Sequence, residues 1–147
     1  MTLKQYLNRG IDLNREIVIM KEEMKNISES LTRLSINLDS DKIKKSPTIS
    51  PLENGVVHMV QLEKEIQDAI EKLATIGSET MLVINKLDDY NSRTLLIKRY
   101  VGFKSWETIA QEMNISRRGA QNKYYYALNK LEFLMKDSPL LEVANET

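Results

Sequence analysis

The chain has 147 residues, which suits one modest domain or a small domain joined to an elongated helical part. Its formal net charge is zero, so the overall charge gives no indication of a nucleic-acid partner. The absence of cysteine excludes a disulfide framework and any metal site built from cysteine. Charged residues interrupt every long apolar stretch and no signal peptide is evident, so we expect a cytoplasmic protein without a membrane partner.

A heptad pattern predicts one long helix from Thr2 to about Leu38. Two interleaved apolar series carry the pattern: Tyr6, Leu13, Met20, Ile27 and Leu34, and Ile17, Met24, Leu31 and Leu38. Gly10 falls on the second series and is its weak point. Such a helix is roughly 50 Å long, at ~1.5 Å per residue, and needs another helix to cover its apolar seam.

The next two segments predict a loop and a second long helix. Residues 39–55 contain two prolines, several serines and mixed charges, which are typical of a loop. Helical periodicity resumes over 56–87, where Thr80 is a polar interruption in a seam of Met59, Leu62, Ile66, Ala69, Leu73, Ile76, Val83 and Leu87. Two such helices most simply form an antiparallel, coiled-coil-like hairpin over 1–88. The same seams could instead pair between two chains, as a homodimer.

A support helix and a short helix are predicted at the start of the region 89–136. Asn91 is the predicted cap of the support helix, whose inner face carries Leu96, Ile97 and Tyr100. Ser105 is a good N-cap for the short helix, whose core residues are Trp106, Ile109, Ala110 and Met113. Asn114 tolerates the left-handed backbone that a sharp turn needs, and Ser116 can cap the next helix.

The last predicted helix has two distinct faces. Its core face carries Ala120, Tyr124, Ala127, Leu128, Leu131 and Leu134. The opposite face carries Arg118, Asn122, Tyr125 and Asn129, with Gln121 at its edge. A short buried helix followed by a capped, basic-fronted helix is how proteins place side chains in the DNA major groove. We therefore predict an all-α fold, in which a helix-turn-helix domain over 89–136 follows the hairpin and precedes a flexible tail over 137–147.

The uneven distribution of charge supports double-stranded DNA as the partner. Residues 89–136 carry nine basic and four acidic side chains, whereas residues 56–88 carry three and six. The residues predicted to contact DNA are Ser116, Arg117, Arg118, Gln121, Asn122, Tyr125, Lys104 and Lys123.

Two kinds of DNA contact are expected from these residues. Arginine can bridge two acceptors of guanine and an amide can pair with adenine, so Arg118, Gln121 and Asn122 suit base reading. Arg117 lies nearer the core face, where phosphate contact at the helix start is its expected role. The remaining candidates for contact with the phosphate backbone are Arg93, Arg99, Lys104 and Lys123.

Patterns typical of catalysis are missing from the sequence. It has no glycine-rich phosphate loop, no nucleophile elbow and no HExxH pattern. Its only histidine, His58, stands alone near the start of a predicted helix, and no cysteine lies near it. We expect no enzymatic activity, no cofactor and no bound metal.

Short motifs stand out in the last third of the chain: LIKRY at 96–100, Gly102, SWETIAQEMNIS at 105–116 and ALNKLEFL at 127–134. Together they resemble region 4 of bacterial sigma-70-type factors. The order of KQYLN at 4–8, a heptad helix, a polar gap, a second long helix and this unit resembles the ArpU and RinA late-transcription regulators of Gram-positive phages and prophages. The resemblance implies a transcription regulator in the cytoplasm of a bacterial host, acting with host RNA polymerase.

Two other functions stay open at this point. Other sigma regions have no candidate in the sequence, so a complete sigma factor is not expected. The first alternative is a DNA-packaging protein, since small terminase subunits also join a helix-turn-helix to an oligomerising helical part. The second alternative is an interaction module that binds polymerase or a sigma factor and never contacts DNA.

Overall fold

The computed structural model describes residues 1–40 and 49–141, and all of their regular structure is helical. The helices are α1 (Leu3–Ser40), α2 (Ile49–Ile84), α3 (Tyr90–Tyr100), α4 (Trp106–Glu112) and α5 (Arg117–Leu134), followed by a short helical turn over 139–141. The prediction of an all-α fold is confirmed. Within the described ranges, no helix combines the length and apolar character that crossing a bilayer requires.

Both long helices extend further into residues 39–55 than the sequence predicted. α1 ends at Ser40 and α2 begins at Ile49, so residues 49–55 of the predicted loop are helical, while 41–48 lie outside the described residues. Pro51 fits the first turn of α2, where a backbone amide has no acceptor within the helix. At Gly55 an added Cβ would lie 2.5 Å from the Cδ2 atom of Leu31. The residues that suggested a loop therefore serve a helix start and a close helix contact.

The structure divides into two compact units. The central unit is Leu13–Lys72, and the terminal unit combines Met1–Asp12 with Leu73–Thr147, of which 142–147 lie outside the described residues. This division differs from the predicted boundary after residue 88. The cause is that the first turns of α1 and the last turns of α2 supply core residues to the unit that contains α3, α4 and α5.

The core of the terminal unit draws on all five helices. Its buried aliphatic side chains include Leu3, Leu7, Val83, Ile84, Leu87, Leu95, Leu96, Ile109 and Leu131. Leu7 and Ile84 have no exposed surface. Because burial of such a side chain contributes about 1.5–3 kcal/mol, the first turns of α1 contribute strongly to the stability of this unit.

In the central unit, side chains of α1 contact α2. The contacts run antiparallel within one chain, since Glu23 Oε1 lies 3.6 Å from His58 Nε2 and Leu31 packs on Gly55. The buried seam residues of this unit are Ile17, Leu62 and Ile66. Most others are only half-buried: Leu13, Met20, Met24, Ile27, Leu31, Leu34, Met59 and Ala69. The side chain of Leu38 lies outside the described residues.

Gly10 is a close-packing position rather than the weak point that the heptad pattern suggested. An added Cβ would lie 3.3 Å from the Cε1 atom of Phe103 and 3.4 Å from the carbonyl oxygen of Tyr100. Phe103 itself has a φ of 56°, in the left-handed region, and its ring covers the glycine. The absence of a side chain at residue 10 thus lets α1 approach the segment between α3 and α4.

Two glycine substitutions in the terminal unit are expected to change its stability in opposite directions. Gly77→Ala should raise the free energy of unfolding by about 0.5–1 kcal/mol, because alanine favours a helix and its Cβ meets open space. Gly10→Leu should lower it by about 1–3 kcal/mol through overpacking against Phe103. Urea unfolding of the full chain, followed by circular dichroism, measures both. A Gly10→Leu protein as stable as wild type would contradict the close packing.

Candidate nucleic-acid interface

An aspartate, rather than the predicted Asn91, caps α3. The carboxylate of Asp89 accepts hydrogen bonds from the Ser92 backbone amide at 3.2 Å and from the Ser92 hydroxyl at 2.5 Å. The hydroxyl of Ser92 holds the pKa of Asp89 below its usual value. Asn91 already lies inside the helix, so the prediction of its capping role is wrong. The buried Ser92 hydroxyl is satisfied by this arrangement.

The local signals around α4 are confirmed by the structure. The Ser105 hydroxyl accepts a hydrogen bond from the Thr108 amide at 3.2 Å, and Ile109 is fully buried. Asn114 has a φ of 55°, the left-handed backbone that ends the helix sharply. Ser116 then caps α5 by accepting a hydrogen bond from the Gly119 amide at 2.9 Å. Two capped helices thus meet at a tight turn.

Glycine at position 119 is a feature that the sequence analysis missed. An added Cβ would lie 3.1 Å from the Ser116 Oγ atom and 3.7 Å from the Ile115 Cβ atom. The small residue therefore leaves room for the capping hydroxyl and for the turn beneath it. Its position three residues after a serine cap was the signal available in the sequence.

Tyr124 fixes the position of α5 on α3 and α4. Its buried hydroxyl lies 2.7 Å from the hydroxyl of Tyr100, and its ring meets Trp106 edge-on with centroids 4.8 Å apart. Burial and this hydrogen bond raise the pKa of Tyr100, so the Tyr100 hydroxyl stays neutral. At the other end of α5, Leu134 is 48% exposed and Met135 is buried in its place. The prediction that Leu134 belongs to the core face is wrong. The next core residue after Leu131 is Met135, four positions further along the chain.

The outer face of α5 presents the predicted reading residues together. Ser116 and Arg117 are exposed at its start, and Arg118, Gln121, Asn122 and Tyr125 are exposed on one face of the next two turns. Arg117 does not lie near the core face as predicted. Its side chain is 72% exposed and reaches Glu107, with Nη1 and Oε1 3.5 Å apart. The first residue of a helix has no preceding turn to pack against, which leaves this arginine in solvent.

Three of the cations predicted to contact phosphate bind protein groups in the structure. The Nη1 atom of Arg93 donates to the carbonyl oxygen of Leu87 at 2.7 Å, and Arg99 donates to the carbonyl oxygen of Lys104 at 3.1 Å. The guanidinium of Arg99 also lies 5.0 Å from the centre of the Trp106 ring. These two arginines support the backbone on either side of α3.

Lys104 is the third of these cations. Its Nζ atom lies 2.6 Å from Oε2 of Glu112, and the Nζ atom of Lys98 lies 3.0 Å from Oε1 of the same carboxylate. The two lysines hold the pKa of Glu112 below its usual value. Glu112 therefore neutralises part of the positive charge beside α4, which lowers the electrostatic attraction that Lys104 can offer to a phosphate.

Lys123 is exposed on α5, and within residues 1–40 and 49–141 no carboxylate forms an ion pair with it. It borders a cleft of about 270 Å³ between the start of α3 and α5. The cleft is lined by Asp89, Asn91, Ser92, Asn122, Lys123 and Tyr126. The sequence analysis missed this cleft because it joins residues about thirty positions apart, which no local pattern links.

The described interface offers hydrogen-bond donors, amide groups and positive charge on one helix. These groups suit recognition of an anionic, hydrogen-bonding surface. Comparison of the chain with protein-family models, with curated proteins and with solved structures finds no match.

Proposed function

We propose that this protein is a sequence-specific DNA-binding transcription regulator of the phage or prophage type, acting with host RNA polymerase. The observation that carries the proposal is the capped start of α5, where Arg118, Gln121 and Asn122 stand exposed side by side above a fixed core. In this reading, α4, the turn at Asn114 and α5 form a helix-turn-helix, and α5 enters the major groove.

The expected contacts follow from the chemistry of each group. The planar guanidinium of Arg118 can donate two parallel hydrogen bonds to guanine, and the amides of Gln121 and Asn122 can pair with adenine. The backbone amides at the start of α5 and the hydroxyl of Ser116 face a phosphate, where the helix dipole favours negative charge. Tyr125 lies on the same face, and its half-exposed ring can pack on the sugar or a thymine methyl group.

Rigid support is the second argument for base reading by α5. Base contacts require side chains held in a constant position relative to the groove, and a helix anchored by a buried core provides this. Tyr124 links α5 to both other helices of the site through Tyr100 and Trp106.

Two lysine substitutions are expected to separate a phosphate contact from an internal ion pair. Lys123→Ala should weaken binding to all duplexes alike and reduce the dependence of log affinity on log salt by about 1, because one phosphate contact is lost. Lys104→Ala should change this slope less, since Glu112 already engages its ammonium group. Fluorescence anisotropy of the full chain with labelled duplexes at several salt concentrations measures the slopes. A larger loss of slope with Lys104→Ala would contradict this assignment.

The function as a whole is tested by selecting bound duplexes from fragments of a bacterial and prophage genome. Recovery of promoter-proximal sites that share a sequence motif would support the regulator. Recovery of packaging sites, together with a ring of many subunits, would favour the terminase-like alternative. Failure to retard any DNA at low salt would contradict DNA binding and favour the polymerase-binding module.

A further inference from the structure

The central unit leaves an apolar groove open between α1 and α2. The groove has a volume of about 480 Å³, and its apolar lining consists of Leu31, Ile36, Leu52, Val56, Met59 and Val60. Ile36 and Val60 are 59% and 60% exposed, although both are aliphatic. Exposed apolar surface gathered in one groove, within a two-helix unit whose seam is only half-buried, is typical of a surface that a partner covers.

A second exposed aliphatic residue lies on the same side of α1, further towards its N-terminus. Val18 is 55% exposed and lies on one helical stripe with Ile36. This stripe, here called the α1 stripe, consists of Val18, Glu22, Lys25, Glu29, Thr32 and Ile36, all of which are exposed. Val18 at one end of the stripe and Ile36 in the groove at its other end are roughly 27 Å apart along the helix, at ~1.5 Å per residue.

The α1 stripe is complementary to the same stripe of a second copy in antiparallel orientation. Val18 then falls opposite Ile36, Glu22 opposite Thr32, and Lys25 opposite Glu29. Each apolar end therefore meets an apolar end, and each central charge meets the opposite charge. A closed two-fold interface requires this property, because the same surface must serve both partners.

We propose that a second copy of this chain docks on the α1 stripe in antiparallel orientation. Val18 of each copy packs at the end of the other copy's groove, beside Ile36, and two Lys25–Glu29 pairs form across the two-fold axis. This interface differs from pairing of the heptad seams between chains, since the seam residues Ile17, Leu62 and Ile66 are already buried within each chain. The proposal is independent of DNA binding, so its test contains no DNA.

A second copy explains the arrangement better than an unrelated partner. An unrelated apolar helix would need only the groove, and would leave Val18 and the alternating charges of the stripe without a role. Two-fold docking uses both apolar ends and both central charges at once. It also covers the exposed valine and isoleucine that a two-helix unit cannot bury alone.

Charge exchange on the full chain provides the first test, with sedimentation equilibrium as the measurement. Wild-type protein should be a dimer at micromolar concentration. Lys25→Glu should weaken the dimer about tenfold or more, because both symmetry-related pairs change from attraction to repulsion. Combining Lys25→Glu with Glu29→Lys should restore the dimer. Lys72→Glu, at an exposed position of α2 outside the groove lining, is the matched control and should leave the dimer unchanged.

A covalent cross-link provides the second test, since the chain contains no cysteine. The variant with both Val18→Cys and Ile36→Cys should form a disulfide-linked dimer under mild oxidation. One helix holds these two positions too far apart for a disulfide within the chain, whose Cα atoms must lie within about 7 Å. Each single cysteine variant is a control and should cross-link poorly. A wild-type monomer at all concentrations, no effect of Lys25→Glu, or no restoration by the exchange would each overturn the proposal.

Discussion

Leu7→Asp is expected to unfold the terminal unit, although residue 7 lies about eighty positions before the start of α3 in the sequence. Leu7 has no exposed surface and belongs to the core that also contains Leu87, Leu95 and Leu131. The expected loss is about 4 kcal/mol or more, because truncating a buried leucine alone costs about 2–5 kcal/mol and an unpaired carboxylate adds its desolvation. A typical domain is stable by only about 5–15 kcal/mol, so a loss of this size removes a large part of that stability.

Lys4→Asp is the matched control, because it places the same carboxylate on the exposed side of the same helical turn. It should keep the wild-type midpoint in thermal unfolding, whereas Leu7→Asp should lose near-ultraviolet circular dichroism from Trp106 and the tyrosines. If Leu7→Asp retained that signal and the wild-type midpoint, the first turns of α1 would not belong to this core.

Local structure near the candidate site was predictable because its determinants lie within a few residues of each other. Ser105 and Ser116 cap helices that begin at the next residue, and Asn114 supplies the left-handed turn between them. Helical spacing also separated the buried Tyr124 from the exposed Arg118 correctly. Such features depend on short-range hydrogen bonds and on the period of the helix, both of which the sequence displays directly.

Long-range packing was not predictable from the same signals. Gly10 reads as a defect in a heptad pattern, yet its missing side chain admits the ring of Phe103. Similarly, Gly55 reads as a loop residue, yet it lets α2 approach Leu31. A glycine looks the same in sequence whether it breaks a helix or permits a contact, since the deciding atom belongs to a distant residue.

Charge partners were the other part of the site that the sequence left open. Lys104 and Lys123 looked equivalent as basic residues near the predicted DNA-binding helices. In the structure Lys104 meets Glu112 and Arg93 meets a carbonyl oxygen, so their charges are partly engaged within the protein. The pairing of exposed charges depends on which side chains share a surface, and sequence separation alone does not determine this.

Arg118→Ala is expected to remove base discrimination if α5 reads DNA as proposed. Arg118 stands exposed in the first turn of α5, behind the Ser116 cap. Loss of a bidentate contact with guanine should cost about 1–3 kcal/mol on the preferred duplex and flatten the preference at one base pair. Binding to a scrambled duplex should weaken less, because only one positive charge is lost there.

Arg118→Lys separates base reading from charge, because lysine keeps the positive charge but lacks the planar fork of donors. The lysine variant should bind scrambled DNA almost as well as wild type, yet fail to restore the preference for the selected site. Anisotropy titrations of wild type, Arg118→Ala and Arg118→Lys on both duplexes measure this, with circular dichroism to verify folding. Full recovery of the preference by lysine would mean that residue 118 acts on phosphate, and the base-reading role would then have to lie with Gln121, Asn122 or Tyr125.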